Sequence, residues 1–308
     1  MKVLVTGGAG FIGRHLVQKL IDLGHEVIVV DSGFTGNLVK IDKAAKLINR
    51  DLNDFAFEDL IKLIDKVEII FHLAAQKHNT KNISPEEMIQ TNVNATYSLA
   101  KASGIVGIKK FVFTSSLYAY GNLGPSVMKE SDVPQPKTLY GSTKLMGEHI
   151  LRSINNEYDL KWNVARLFFI YGPGQFSGSG YKSVIMKNFE RLRQDLPPVI
   201  NGSGSQSLDY VYVSDAVSAI VKLAEINSSE NIVNISSGRA TTVNDLTKQM
   251  QEIAHSDTTP VSNSPDWTEG TSRFGDISTS KSLLNWNSDV TLHEGLSRIW
   301  NSLNQEVE

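Results

Sequence analysis

Val3-Leu4-Val5-Thr6-Gly7-Gly8-Ala9-Gly10-Phe11-Ile12-Gly13 is the stretch on which the reading of the fold turns. A short β-branched run leads into glycines at i, i+3 and i+6, and apolar residues then recur at Ile12, Leu16, Val17, Leu20 and Leu23 with helical spacing. Gly24 closes that helix. In a strand–turn–helix unit of this kind the missing side chains permit a tight turn and let the backbone approach a pyrophosphate. The amides and positive dipole end of the helix then hold the anion. Turns collect glycine for other reasons, so the context has to decide. The next strand, Val27-Ile28-Val29-Val30, ends in Asp31, 18 residues beyond Gly13. A carboxylate there accepts ribose hydroxyls and repels a 2′-phosphate, and no arginine follows it in Ser32-Gly33-Phe34. The expected cofactor is therefore NAD rather than NADP.

Outward from this unit the pattern repeats. Further short apolar strands are predicted near Leu47-Ile48, at Glu68-Ile69-Ile70-Phe71, at Lys110-Phe111-Val112-Phe113 and over Trp162 to Leu167. Helical stretches separate them, notably 85–103 and 140–158. Strands that are apolar throughout, alternating with amphipathic helices, predict an α/β fold of Rossmann type: a doubly wound parallel sheet covered on both faces. After Arg166 the rhythm changes, and the glycine-rich run 171–180 reads as a loop. Shorter elements follow: helices at 183–194, after Ser214, at 243–255 and at 292–304, and a strand at Ile232-Val233-Asn234-Ile235. The expected division is an NAD-binding domain over 1–168, with 209–235 returning to it, and a smaller, partly interleaved α/β substrate-binding lobe over 169–308.

The composition of the 308 residues narrows the function classes. Thirty basic against 33 acidic side chains leave a charge of −3, with no basic run to suggest nucleic acid as a partner. With no cysteine, disulfides, thiolate metal sites and a cysteine nucleophile are excluded. The seven histidines include no i, i+4 pair, and no metal site is expected. No apolar run approaches the roughly 20 residues of a membrane span. The opening residues read as a strand rather than a signal peptide, so a cytoplasmic setting is expected.

Tyr140-Gly141-Ser142-Thr143-Lys144 opens a predicted helix, and four residues place the phenol and the ammonium on one face. A cation beside a tyrosine stabilises the phenolate and is expected to lower its pKa, making Tyr140 a base for a substrate hydroxyl and an acid in reverse. Such a pair alone is commonplace on helix surfaces. The strand Phe111-Val112-Phe113 running into Thr114-Ser115-Ser116 supplies context, because ligands in open parallel sheets bind beyond the carboxyl ends of strands. Ser116 would sit there as an orienting hydroxyl; lacking a histidine partner it is a poor nucleophile.

These residues resemble the extended short-chain dehydrogenases/reductases, in particular their NAD-dependent nucleotide-sugar epimerase/dehydratase group. The resemblance runs almost end to end: Thr6 to Gly13, Asp31 to Asn37, Asp51-Leu52, His72 to Gln76, Asn92 to Thr96, Phe113 to Gly121, Tyr140 to Lys144, Arg166 to Gln175, Asp209 to Asp215 and Asn234 to Gly238. It implies a catalytic trio of Ser116, Tyr140 and Lys144. It implies cofactor contacts at Gly7, Gly10, Phe11, Ile12 and Gly13 for the pyrophosphate, at Asp31, Ser32, Thr35, Gly36 and Asn37 for the adenine ribose, and at Asp51 and Leu52 beside adenine. Leu73, Ala74, Ala75, Asn92, Thr114, Tyr140, Lys144 and Phe168 complete that set. Substrate contacts are implied at Gln76, Lys77, Ser116, Tyr118, Tyr140, Phe169, Val184, Asn201 and Arg273. The resemblance further implies a homodimer through a four-helix bundle built from 85–103 and 140–158.

Departures from the family pattern sharpen the expectation. Dehydratases of the group place an Asp-Glu pair, and decarboxylating relatives a glutamate, where this chain has Ser115-Ser116-Leu117. Without an acid to protonate a departing hydroxyl, elimination is disfavoured and epimerisation leads: transient hydride transfer through a keto sugar, with C4 as the inverted carbon. Phe169 and Leu208 stand where the group has asparagine and arginine on the substrate diphosphate, while Arg273 matches another phosphate arginine. The alternatives are an NAD-dependent dehydrogenase or ketoreductase on a nucleotide sugar or another hydroxylated small molecule and, in a different class, a non-catalytic NAD-binding regulator.

Overall fold

The computed structural model describes residues 1–77, 83–121, 127–175, 183–266 and 268–305. In chain order the elements are β1 (Lys2–Thr6), α1 (Phe11–Asp22), β2 (Glu26–Asp31), β3 (Lys46–Asn49), α2 (Phe57–Ile64), β4 (Ile69–His72), α3 (Pro85–Ile89), α4 (Ala95–Val106), β5 (Lys110–Ser116), α5 (Leu139–Tyr158), β6 (Trp162–Leu167), β7 (Phe169–Tyr171), α6 (Val184–Leu192), β8 (Val199–Asn201), β9 (Ser207–Leu208), β10 (Tyr210–Tyr212), α7 (Val213–Glu225), β11 (Asn231–Ile235), β12 (Thr241–Thr242), α8 (Val243–Ala254), β13 (Val261–Asn263), β14 (Ser272–Arg273), α9 (Ser278–Leu284) and α10 (Leu292–Gln305). The central sheet has the order β3-β2-β1-β4-β5-β6-β11. Its pairings from β3 to β6 are parallel. This is the Rossmann-type doubly wound arrangement, and its strand order reverses between β1 and β4, the position where such sheets open a crevice at their carboxyl ends. Every residue of β4, β5 and β6 is buried, which is what a sheet covered on both faces requires of its central strands.

The chain forms two compact units. One comprises residues 1–122, 132–167 and 217–234, the other 123–131, 168–216 and 235–308. Residues 209–216, expected with the first unit, cluster with the second. There Asp209 is fully buried, and its carboxylate accepts from the Ser236 hydroxyl (2.5 Å), the Ser237 amide and hydroxyl (2.7 Å each) and the Gly238 amide (3.0 Å). Those bonds anchor the segment to residues of its own unit.

The single helix expected over 85–103 is corrected. Ser84 and Glu87 form a reciprocal capping box and start α3 at Pro85, but the backbone widens into a π-helical turn at Gln90–Asn94 before α4 continues. In the sequence such a widening leaves only a one-residue slip in the apolar spacing, too small a signal to separate from ordinary scatter in one chain. The turn carries Asn92, 2% exposed, whose side chain then serves elements far away in sequence. Of the predicted loop 171–180, Tyr171 ends β7 and 176–180 lie outside the described residues.

Candidate active site

The dinucleotide cradle is built by close approach. A Cβ on Gly13 would lie 2.1 Å from the Gly7 carbonyl oxygen, so any side chain there would force the turn away from α1. α1 opens at Phe11 with no side-chain cap from Gly10, leaving Phe11 and Ile12 in the first turn at its positive end. Asp31, at the end of β2, accepts from the Ala9 amide (2.9 Å) and the Gly33 amide (2.8 Å). It thereby clamps the glycine turn, and a carboxylate with about four acceptor positions can still take ribose hydroxyls. Ser32 and Thr35 are exposed, Gly36 is half-buried, and Asn37 caps a short 3₁₀ turn at Leu38–Lys40. The Asn37 amide donates to the Ala9 carbonyl at 3.1 Å, so this loop too is tied to the glycine turn. Asp51 caps the 3₁₀ turn that buries Leu52. Leu73, Ala74 and Ala75 follow β4 half-buried, at the sheet's point of reversal. A glycine turn without room for a Cβ, an adjoining helix N-terminus and an acid on the next strand together fit a dinucleotide.

Ser116, Tyr140 and Lys144 come together at the carboxyl end of β5. Helix α5 can lie close to this strand because Gly147 has no side chain; a Cβ there would sit 2.5 Å from the Phe113 ring. Thr138 caps α5, donor Gly141 amide to acceptor hydroxyl at 3.0 Å, and so fixes where Tyr140 enters. The Ser116 hydroxyl hydrogen-bonds the Tyr140 phenol, and the Tyr118 ring meets the Tyr140 ring edge-on at 6.0 Å. Lys144 Nζ donates to the Thr114 carbonyl (2.9 Å) and lies 4.8 Å from the Phe113 ring centroid.

The expected depression of the tyrosine pKa is corrected. Burial pushes the Tyr140 phenol above its ordinary range, Tyr118 adds to this, and the Ser116 hydrogen bond only partly opposes it. Lys144 is itself pushed down to about 7, by burial first and the Lys77 ammonium second, against the attraction of Glu148. Desolvation penalises whichever form carries charge, and both groups are buried. In the protein alone the pair therefore favours a neutral phenol.

Residues not singled out in the sequence support this site from below. Glu148, one helical turn beyond Lys144, accepts from Arg166 through Nε (3.0 Å) and Nη2 (2.7 Å) and from the Ser115 hydroxyl (2.5 Å). The Arg166 guanidinium lies over the Tyr120 ring at 4.6 Å, and the Tyr120 hydroxyl donates to Asn234 Oδ1 at 2.7 Å. Burial opposes the arginine's charge, yet Glu148 holds its pKa above the ordinary range. The signal available in the sequence was the one charged side chain in the strand Trp162-Asn163-Val164-Ala165-Arg166-Leu167.

The Asn92 side chain is held by hydrogen bonds to two other segments. Its Oδ1 accepts from the Gln76 amide (2.7 Å), and its Nδ2 donates to the Gln76 carbonyl (2.9 Å) and the Thr143 hydroxyl (3.0 Å). Lys77 is exposed. In the second unit, Arg273 is buried beside Leu208, its register partner, with its guanidinium 6.0 Å from the Phe169 ring. Asn201 donates to Asp266 (3.1 Å), Val184 opens α6, and the Phe168 ring packs against Gly275.

His72 gives the first unit a pH dependence. It is fully buried, and burial first, with the Lys144 charge second, lowers its pKa to about 3. Above the unfolded-state value of 6.5 the ring is neutral folded and unfolded alike. As pH falls below 6.5 the unfolded chain gains a proton that the folded chain refuses, so stability is lost at about 1.4 kcal/mol per pH unit. Between pH 6.5 and 4.5 urea unfolding should show the wild type losing about 2–3 kcal/mol more than a His72→Gln variant does. Parallel losses would place the titration elsewhere.

The NAD dependent epimerase/dehydratase family model matches residues 3–236. The chain belongs to this family. Like other members of the extended short-chain dehydrogenases/reductases it is an enzyme, and its cofactor is NAD. It is 31% identical to the UDP-glucose 4-epimerase of Mycolicibacterium smegmatis, with 97% of each chain covered. The crystal structure of UDP-glucose 4-epimerase from Thermotoga maritima with UDP-glucose superposes with a TM-score of 0.91 at 33% identity over the whole of both chains. UDP-glucuronic acid 4-epimerase from Bacillus cereus, in complex with UDP-glucuronic acid and NAD, superposes with a TM-score of 0.89 at 25% identity, covering 99% of this chain and 100% of that one. Among the described residues no helix is long and apolar enough to cross a membrane.

Proposed function

We propose that this family member is a redox-neutral 4-epimerase of a uridine diphosphate sugar, working through a 4-keto intermediate. The observation that supports the reading is the state of Glu148, the carboxylate that hydrogen-bonds Ser115 at the strand end. Elimination requires a protonated acid there, whereas both oxygens of Glu148 are taken up by Arg166 and Ser115. What remains is a phenol, a hydroxyl and an ammonium, the set needed to take a proton from a ring hydroxyl and give it back.

Bound NAD supplies a hydride acceptor that later returns the hydride, and in its oxidised form a positive charge. Tyr140 removes the proton of the sugar hydroxyl as its C–H bond breaks, and restores it when the C–H bond re-forms on the opposite face. Ser116 orients that oxygen. Lys144, fixed on the Thr114 carbonyl, offers a charge that a buried phenolate needs. The cradle contacts set out above hold the dinucleotide in this reading, and Phe169 and Arg273 belong to the substrate contacts. The test is incubation with UDP-glucose, UDP-glucuronic acid and UDP-N-acetylglucosamine. Isomerised product at constant NADH absorbance is expected; net NADH accumulation would instead identify a dehydrogenase. Absence of turnover, with NAD altering binding of a protein partner, would identify a regulator.

We propose also that two copies pair through the 85–106 and 139–158 helices. Tyr97 (45% exposed) and Ile105 (47%) recur two turns apart on α4, and Leu139 (38%) and Met146 (49%) on α5, leaving apolar side chains uncovered on adjacent helices. Light scattering should report twice the chain mass, and Tyr97→Glu with Met146→Glu should return it to one. A wild-type monomer at micromolar concentration would remove this proposal.

A further inference from the structure

A line of hydrogen bonds, buried in all but its first link, crosses the first unit from the glycine turn to α5. The Ala74 amide donates to the Thr6 hydroxyl (3.3 Å), which meets His72 Nδ1 at 2.6 Å. On the other side of the ring, His72 Nε2 meets the Thr96 hydroxyl at 2.8 Å, and that hydroxyl donates to the Asn92 carbonyl at 2.8 Å. The Asn92 side chain donates to the Thr143 hydroxyl, which donates in turn to the Tyr140 carbonyl at 2.8 Å.

Each hydroxyl has one proton, and this dictates the direction of every bond. Thr96 spends its proton on Asn92, so His72 Nε2 must be the donor to Thr96. The ring being neutral, Nδ1 is then an acceptor, and Thr6 gives its proton to it. His72 is locked as the Nε2–H tautomer. Its ring is held in place by stacking on Phe113 (5.7 Å, 29°) and by the edge of Phe111 (5.9 Å), and the charged group facing it is Lys144 from α5. The line starts where the backbone of residue 74 abuts the glycine turn and ends on the residue that bears the phenol.

We propose that His72 is a positioning residue which, as its neutral Nε2–H tautomer, ties the dinucleotide turn to the helix that carries Tyr140. The role of Tyr140 rests on the functional reading above; the tie itself does not. Dinucleotide affinity and turnover are thereby linked through Thr6, His72, Thr96 and Thr143, which are not among the ligand contacts proposed above. The π-helical turn at Gln90–Asn94 belongs to the same device, since it places both the Asn92 carbonyl and the Asn92 side chain within reach of the line.

Three measurements test this. Nitrogen-15 NMR of the histidine-labelled enzyme should show His72 protonated at Nε2 alone and unchanged from pH 8 to 5. Thr96→Val removes the relay hydroxyl at nearly constant shape. It should lower kcat per NAD-binding site about tenfold, with KM for the nucleotide sugar changed less than about twofold, and raise the Kd for NAD severalfold. Thr96→Ser, which keeps the hydroxyl, should restore both. A merely structural role would reduce the fraction of sites and leave kcat per site intact. An Nδ1–H tautomer, a ring titrating near neutrality, or a folded Thr96→Val enzyme with native kcat and NAD affinity would overturn the proposal. If the wild type turns over no nucleotide sugar, the functional reading fails, and the tautomer and the NAD affinities still decide the tie.

Discussion

Tyr140→Phe is expected to lower kcat by about a thousandfold while leaving the fold and NAD binding intact. A positioned acid–base group contributes roughly a hundred- to ten-thousandfold. In the proposed mechanism the phenol, hydrogen-bonded to the Ser116 hydroxyl, holds the substrate proton, while Lys144 donates to the Thr114 carbonyl. Phenylalanine keeps the ring that Tyr118 packs against and loses one hydrogen bond, so stability should change by about 1 kcal/mol or less. The measurements are steady-state isomerisation, thermal unfolding and NAD titration on one preparation. Turnover within tenfold of wild type would move the base to another side chain. The elevated phenol pKa gives the result added weight: burial holds the proton on oxygen, and ionisation then waits for a positive charge close by.

Glu148→Ala is expected to destabilise the protein by about 3–5 kcal/mol, because it strands a guanidinium that is 2% exposed. The loss reaches the site as well. The Ser115 hydroxyl loses its acceptor one residue from Ser116, and Lys144 loses the attraction that opposes its discharge. A combined Glu148→Leu and Arg166→Met variant separates the two effects, since replacing both members of a buried pair by apolar groups is often neutral or stabilising. It should recover most of the stability measured by urea unfolding while kcat stays depressed. Equal recovery of both would mean that the pair serves stability alone.

The two results share a cause that bears on how much of the protein can be read from its chain. The glycine turn, Asp31, the strand end at Ser116 and the Tyr140–Lys144 spacing were all legible, as was the parallel sheet. Each depends on neighbours within about one helical turn or on the period of apolar residues. The break in the 85–103 helix was not legible, because one π-helical turn shifts the apolar register by a single residue, which a short segment does not resolve. Nor was the second job of Asp31 as a clamp on the Ala9 amide, since a carboxylate's acceptors are counted in space and not along the chain.

Fold class and the choice of NAD were already written in the chain, and the spacing of Ser116, Tyr140 and Lys144 singled them out as the proposed trio, because these readings rest on local backbone chemistry, the Asp31 charge and helical or strand periodicity. It took the assembled tertiary structure to set the shifts of Tyr140 and Lys144, the neutrality of His72 and the Glu148–Arg166 support. Those depend on desolvation and on partners distant in sequence, such as Thr6 and His72, 66 residues apart, that meet only when the sheet is assembled. Burial belongs to the folded neighbourhood of a group, and no residue carries it alone.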